Sequence, residues 1–125
     1  VRLLLDSQVV LWSLESPERL ATEAVAAITD PANSVDVSVA SLWELAIKQS
    51  IGKLKVDGDL REHLTLQSFS ELPVLGEHAL AVRDLPRHHR DPFDRLLIAQ
   101  AMCEGLTVVT SDRAFAAYDV PILPA

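Results

Sequence analysis

Two short stretches of this chain leave little choice of architecture: Leu3-Leu4-Leu5, which runs straight into Asp6, and Leu106-Thr107-Val108-Val109-Thr110, which runs into Ser111-Asp112. A strand that is apolar on successive residues has no face to offer water, so it needs cover on both sides, as a central strand of a parallel sheet has. Both expected strands deliver a carboxylate at their carboxyl end. In open α/β sheets that end is where ligands collect, in the crevice where the strand order reverses.

The segments between them alternate in the manner of such a sheet. Val9 to Leu14 has helical apolar spacing, and a second helix is expected after Pro17, through Leu20, Ala24, Ala27 and Ile28, until Asp30-Pro31 stops it. Val35-Asp36-Val37-Ser38-Val39 reads as a strand. Ser38 or Ser41 is positioned to cap the helix Leu42 to Lys48, and Gly52 to end it. A polar loop from Gly52 to Asp59 leads to a helix from Leu60 to about Phe69. Leu72-Pro73-Val74-Leu75 suits a short edge strand, and Gly76 to Leu85 a helix. After a helix from Phe93 to Glu104, closed by Gly105, come the second buried strand, a short helix through Phe115 and Ala117, and a last strand at Pro121-Ile122-Leu123. The fold class is α/β: three layers, α/β/α, around a mostly parallel central sheet of about four to five strands.

With 125 residues, 49% of them hydrophobic, the chain suits one domain spanning 1–125 with a core of its own. The 11 Lys and Arg against 18 Asp and Glu give a net charge of −7. That is the wrong sign for gripping nucleic acid by general attraction, so any such contact must be local or helped by bound cations. Cys103 is the only cysteine, which excludes an internal disulfide and a Cys-rich zinc or iron–sulfur site. A reducing cytoplasm and no membrane are the expectation, since the opening apolar run is far too short for a signal sequence and none approaches the roughly 20 residues of a membrane span. Four glycines form neither a phosphate-binding loop nor a dinucleotide fingerprint.

The sharpest local pattern is Asp91-Pro92-Phe93-Asp94-Arg95-Leu96-Leu97-Ile98-Ala99-Gln100-Ala101. With Asp91 as N-cap, Pro92 takes the first helical position, where its missing N–H costs nothing, and Asp94 falls at N3. Asp94 then shares a face with Leu97, Ile98 and Ala101, so the helix aims an acid inward. Glu44 interrupts the apolar segment before Lys48, with which it is also spaced for an i, i+4 pair. Asp6, Glu44, Asp94 and Asp112 thus have independent reasons to face one pocket. Carboxylates that converge share protons or hold a cation, and an all-oxygen donor set selects a hard ion, Mg2+ or Mn2+. Asp6 and Asp94 are the expected direct ligands, Glu44 and Asp112 ligate through water or orient the nucleophile, and Ser7 and Thr110 hydrogen-bond the same shell. Such a site suits metal-assisted phosphodiester hydrolysis. Arg87, His88, His89 and Arg90 precede it, where positive charge would guide a phosphate backbone; Lys48 is a further candidate RNA contact, as is Arg95, which could instead pair with Asp91 one turn back. Adjacent histidines without cysteine partners do not make a zinc site. Trp12, Trp43 and Phe93 are read as core.

In order and content these motifs resemble the PIN-domain ribonucleases, particularly the VapC toxins of prokaryotic toxin–antitoxin pairs. Leu3-Leu4-Leu5-Asp6-Ser7 is similar to their opening strand and first acid, and Val39 to Lys48 to the helix of the second. Asp91 to Ala101 is similar to the third segment, and Val109-Thr110-Ser111-Asp112 to the fourth. Ser7 stands where the family often has Thr. The resemblance implies a Mg2+- or Mn2+-dependent endoribonuclease, a homodimer or a complex with a cognate VapB-type antitoxin, and an antitoxin C-terminal segment that lies across the active site. The rival readings are a catalytically silent PIN-like module whose acidic pocket binds a partner's basic segment, and a phosphoacceptor receiver domain. The second fits poorly, because the first strand supplies no acidic pair and no lysine follows the last strand.

Overall fold

A computed structural model describes residues 1–125. The strands are β1 (Arg2–Leu5), β2 (Ser34–Ser38), β3 (Ser70–Leu72), β4 (Thr107–Thr110) and β5 (Ile122–Pro124). The helices are α1 (Ser7–Glu15), α2 (Thr22–Thr29), α3 (Val39–Ser50), α4 (Leu60–Leu66), α5 (Gly76–Ala81) and α6 (Pro92–Glu104), with short 3-10 turns at Pro17–Arg19, Val82–Asp84 and Arg113–Ala117. The sheet order is β3-β2-β1-β4-β5, and every pairing is parallel. The strands run outward from β1 to β2 and β3 on one side and to β4 and β5 on the other. Their order reverses between β1 and β4, which places Asp6 and the residues after Thr110 at the switch point.

Successive residues of a strand point to opposite faces, and the two cores divide accordingly. Leu3, Leu5, Val35, Val37 and Val109 pack with Val9, Val10, Ala24, Leu45 and Leu64 of the helices on one face. Leu4 and Val108 pack on the other with Leu97, Ile98 and Ala101 of α6, together with Leu106, Phe115 and Tyr118. The run Leu3-Leu4-Leu5 is apolar throughout because each residue serves a core.

Several boundaries differ from the expectation, each for a local reason. The sheet is wholly rather than mostly parallel. The second helix starts at Thr22, because Leu20 and Ala21 are extended and turn Leu20 into the core. The helix from Leu60 stops at Leu66: Ser68 takes a left-handed conformation (φ +61°) and the Phe69 N–H closes back on the Leu64 carbonyl, dropping Phe69 into the core. The third strand therefore begins earlier, at Ser70, and ends before Pro73, which has no N–H for a ladder. The cap of α3 is Ser38, which accepts the Ala40 N–H at 3.0 Å, while Ser41 is buried. Trp43, read as core, is 62% exposed. Asp36, in an alternating strand, is nevertheless buried, because β2 lies between two neighbours; it pairs with Arg2 at 3.3 Å.

A buried polar network ties α6 to β2 and α5. The Ser38 hydroxyl donates to Gln100 Oε1, the Gln100 amide donates to the Pro73 carbonyl at 3.2 Å, and fully buried His78 accepts the Leu75 N–H at Nδ1 (3.0 Å) and donates from Nε2 to Glu104 (2.9 Å). Gln100→Leu would leave the fully buried Ser38 O–H without an acceptor, at a cost of about 1–3 kcal/mol, while the carbonyl of exposed Pro73 can turn to water. Urea unfolding should show a lower midpoint at unchanged slope. A loss below about 0.5 kcal/mol, typical of surface changes, would show that the network contributes nothing.

Candidate metal centre

Four elements converge at the switch point, and each acid has one foot in the fold. Asp6 caps α1: its Oδ1 accepts the Val9 N–H at 2.8 Å, and its Oδ2 accepts the Thr110 hydroxyl. The Thr110 oxygen in turn accepts the Asp112 N–H at 3.0 Å, so the ends of β1 and β4 are joined through side chains. Asp112 Oδ1 accepts the Ala114 N–H at 2.9 Å and caps the turn after β4, leaving Oδ2 for the centre. Glu44 on α3 accepts the Ser7 hydroxyl on one oxygen and lies 3.8 Å from Lys48 Nζ on the other. Glu44 thus pairs with Lys48 and at the same time reaches the first turn of the helix that follows Asp6.

Asp94 is supported least. Asp91 takes the helix cap, with Oδ1 accepting the N–H groups of Phe93 (2.8 Å) and Asp94 (3.3 Å). The Asp94 carboxylate has one ion-pair partner, His89 Nε2, at 3.1 Å. The same Nε2 lies 2.8 Å from Asp112 Oδ2. One imidazole thus bridges two of the four acids.

The electrostatics match this crowding. Burial pushes the Asp94 carboxyl from its ordinary 3.8 up to about 7; the charge of Asp91 adds to that, His89 opposes it, and Glu44 and Asp6 raise it further. Asp6 is also raised, by burial first, against the opposing hydrogen bonds from Thr110 and Val9, with Asp112 and Glu44 adding repulsion. For Asp112 burial pulls upward too, but the Ala114 N–H and His89 outweigh it and hold the group below its ordinary value. Asp6 and Asp94 are each raised further by other acids of the set. All-oxygen donors with more negative charge than the surroundings balance are the donor set for a hard divalent cation, so the residues fit such an ion.

The basic residues are placed around one side. Arg87 and Arg90 are exposed and, with Val82, His89, Pro92 and Arg95, line an open cleft beside the centre. His88 is exposed and packs edge-on to Tyr118. Arg95, expected to reach outward or back to Asp91, binds the loop instead: its guanidinium donates to the carbonyls of Pro86 (2.9 Å), Val82 (3.0 Å) and Leu85 (3.4 Å). Phe93 meets the exposed ring of Trp43 in a T-shaped contact at 5.1 Å. The bridging role of His89 was not visible in the sequence, since a histidine in a polar loop carries no phase that aims it.

Fold and site together define an α/β/α domain with an acidic centre at the switch point of a parallel sheet. The PIN-domain family matches residues 3–121, nearly the whole chain. The chain is 33% identical over 126 residues to Ribonuclease VapC22 of Mycobacterium tuberculosis (strain ATCC 25618 / H37Rv), covering 94% of this chain and 92% of the relative. It belongs to the PIN-domain family. Among solved structures it is similar in fold to a chain of VapBC2 from Rickettsia felis bound to a promoter DNA fragment, with a TM-score of 0.75 at 14% identity, covering 99% of this chain and 98% of that one. A chain of VapBC-1 from nontypeable Haemophilus influenzae gives a TM-score of 0.70 at 15% identity with the same coverage.

A carboxyl group whose folded value is raised contributes stability that is complete below its unfolded value and is lost as pH rises through the folded one. In chelator, Asp94 should therefore cost the protein stability progressively between about pH 4 and pH 7. Urea unfolding across that range should show a decline that Asp94→Asn flattens. An identical pH profile in the variant would place the decline elsewhere.

Proposed function

We propose that residues 1–125 act as one PIN-type endoribonuclease domain, the toxin of a toxin–antitoxin pair, hydrolysing RNA phosphodiester bonds with Mg2+ or Mn2+. The observation that carries this reading is the convergence of Asp6, Glu44, Asp94 and Asp112 from four elements onto one point, with Asp94 held near 7. The likeness to Ribonuclease VapC22 supports the reaction class, and the fold likeness to chains of VapBC complexes supports a VapB-type antitoxin as partner.

Asp6 and Asp94 would hold the ion directly, with Glu44 and Asp112 completing the centre. When bound, the ion supplies charge stabilisation at the scissile phosphate and lowers the pKa of the attacking water. The chain's own residues do the positioning. Thr110 and Ser7 orient Asp6 and Glu44 by their hydroxyls. Arg87 and Arg90 are free to meet phosphates of an RNA strand laid along the cleft, with exposed His88 between them in sequence, while Lys48 lies beside Glu44. An overall charge of −7 makes that local patch necessary.

The outer face of α3 carries Val39, Trp43, Ile47 and Ile51, all exposed and four residues apart, so they form one apolar row on the helix that bears Glu44. Such a row is a surface for a protein partner, an antitoxin or a second copy in a homodimer. No helix is long and apolar enough to cross a membrane; a toxin that cleaves cellular RNA would act in the cytoplasm.

Purified protein incubated with total cellular RNA should produce discrete new 5′ ends in Mg2+ or Mn2+ and none in chelator. Asp6→Asn and Asp94→Asn should each reduce cleavage by at least about 100-fold, the upper end of what losing even an outer partner of a metal ligand costs. Unchanged cleavage in both variants, or none with either ion, would sink the nuclease reading. With the Asp94→Asn protein and a single-stranded RNA, Arg87→Ala and Arg90→Ala should each weaken binding and flatten the salt dependence by about 0.7 for every phosphate no longer neutralised. An unaltered salt slope would remove them from the RNA path.

A further inference from the structure

His89 is not one of the acids, yet its ring lies between two of them. Nε2 is 2.8 Å from Asp112 Oδ2 and 3.1 Å from Asp94 Oδ2, oxygens that arrive from the end of β4 and the start of α6. The other ring nitrogen decides what Nε2 is. The Asp91 N–H points at Nδ1 from 3.1 Å, so Nδ1 presents a lone pair and the ring's proton sits on Nε2. Nε2–H is therefore a donor aimed at both carboxylates and has no lone pair with which to bind a cation. To become a ligand through Nε2, the ring would have to carry its proton on Nδ1, donor against donor with the Asp91 N–H, which would cost that hydrogen bond and strand a polar group. A divalent ion taken up by this carboxylate set would compete with the Nε2–H for the oxygens it now holds.

We propose that His89 is an internal stand-in for the divalent ion: it holds Asp94 and Asp112 together in the metal-free protein and must swing aside when the ion enters. The inference rests on the reading that these acids bind such an ion. The surroundings allow the exchange without unfolding. The backbone of the loop is anchored independently of the ring, by the His89 N–H to Tyr118 Oη (2.9 Å), by Tyr118 Oη donating to the Pro86 carbonyl (2.8 Å), and by Arg95 on the carbonyls before it. The ring itself is held by one backbone N–H, the two acids and an edge-on contact with Phe115 at 5.8 Å. His89 also lines the open cleft with Arg87 and Arg90, a lining that includes none of the four acids, and that cleft gives the displaced side chain a place to go. The ring thus separates the acidic centre from the basic cleft, and loading the ion opens one toward the other.

The test is Mn2+ binding to the full chain, read from loss of the free-ion paramagnetic resonance signal at one fixed pH, for the wild type, His89→Ala and His89→Gln. His89→Ala should bind Mn2+ at least about 5-fold more tightly, because the ion no longer competes with a charge-directed donor. His89→Gln, whose side-chain amide restores an N–H donor, should remain closer to the wild type. Thermal melting supplies a second readout: His89→Ala should be less stable than the wild type in chelator, and the gap should close in saturating Mn2+. A purely structural histidine would destabilise equally in both. Weaker or equal Mn2+ binding by His89→Ala overturns the inference, the first by making His89 a ligand and the second a bystander. Absence of Mn2+ binding in all three proteins would instead overturn the cation reading of the acidic centre, and the inference with it.

Discussion

Carboxylates gathered in a half-buried place resist being ionised together, and the structure around the switch point is organised by that repulsion. Three of the four acids are held in place by hydrogen bonds that the fold provides. Asp6 has the Val9 N–H and the Thr110 hydroxyl, Asp112 the Ala114 N–H, and Glu44 the Ser7 hydroxyl with Lys48 nearby. Asp94 has only His89, and the cap that would have served it is taken by Asp91, whose charge works against it. The group with the fewest donors is the one driven furthest, to about 7. The centre is thus asymmetric, with a fixed side built on β1 and β4 and a side on α6 whose charge depends on what lies next to it.

The sheet makes this gathering unavoidable. Because all five strands are parallel, their carboxyl ends lie along one edge, and the reversal of order between β1 and β4 opens a gap there between the connections that leave in opposite directions. Asp6 and Asp112 arrive at that gap from the two strands that flank it, while α3 and α6, which pack against each other across it, bring Glu44 and Asp94. The apolar runs of β1 and β4 and the acids that end them are one feature: strands with no polar face can meet water, and the charges that need it, only at their ends.

That coupling explains what was legible in the sequence. The identity of the strands with two buried faces, the phase that turns Asp94 toward Leu97, Ile98 and Ala101, and the caps at Asp91 and Gly105 all follow from short-range pattern, and the structure shows each of them. What stayed hidden depends on groups with no period. His78 and Gln100 sit within helices and look like ordinary polar residues, yet both are fully buried because α5 and α6 face each other. Trp43 is apolar and on a helix with a buried face, and no local pattern marks its position as falling on the other one. Arg95 follows Asp94 directly and so points elsewhere, onto the carbonyls of the preceding loop. The third strand was displaced by Ser68, a left-handed residue that is not glycine or asparagine and so gave no turn signal.

Low identity alongside close superposition, a TM-score of 0.75 at 14%, shows how little of such a chain is constrained by its architecture. Inner strands apolar on both faces, amphipathic helices and well-placed caps suffice, and many sequences meet those terms. Individuality must then lie where the backbone is fixed but the side chains are not. The loop Pro86 to Asp91 has that character: Tyr118 and Arg95 bind its carbonyls and one of its N–H groups, while Arg87, His88 and Arg90 stay exposed beside the cleft. A backbone already held in place spares its own share of the ordering cost on binding and leaves only that of the cationic side chains. In a protein of net charge −7, such a patch beside the acidic centre would, on the proposed reading, draw a polyanion to that face of the domain.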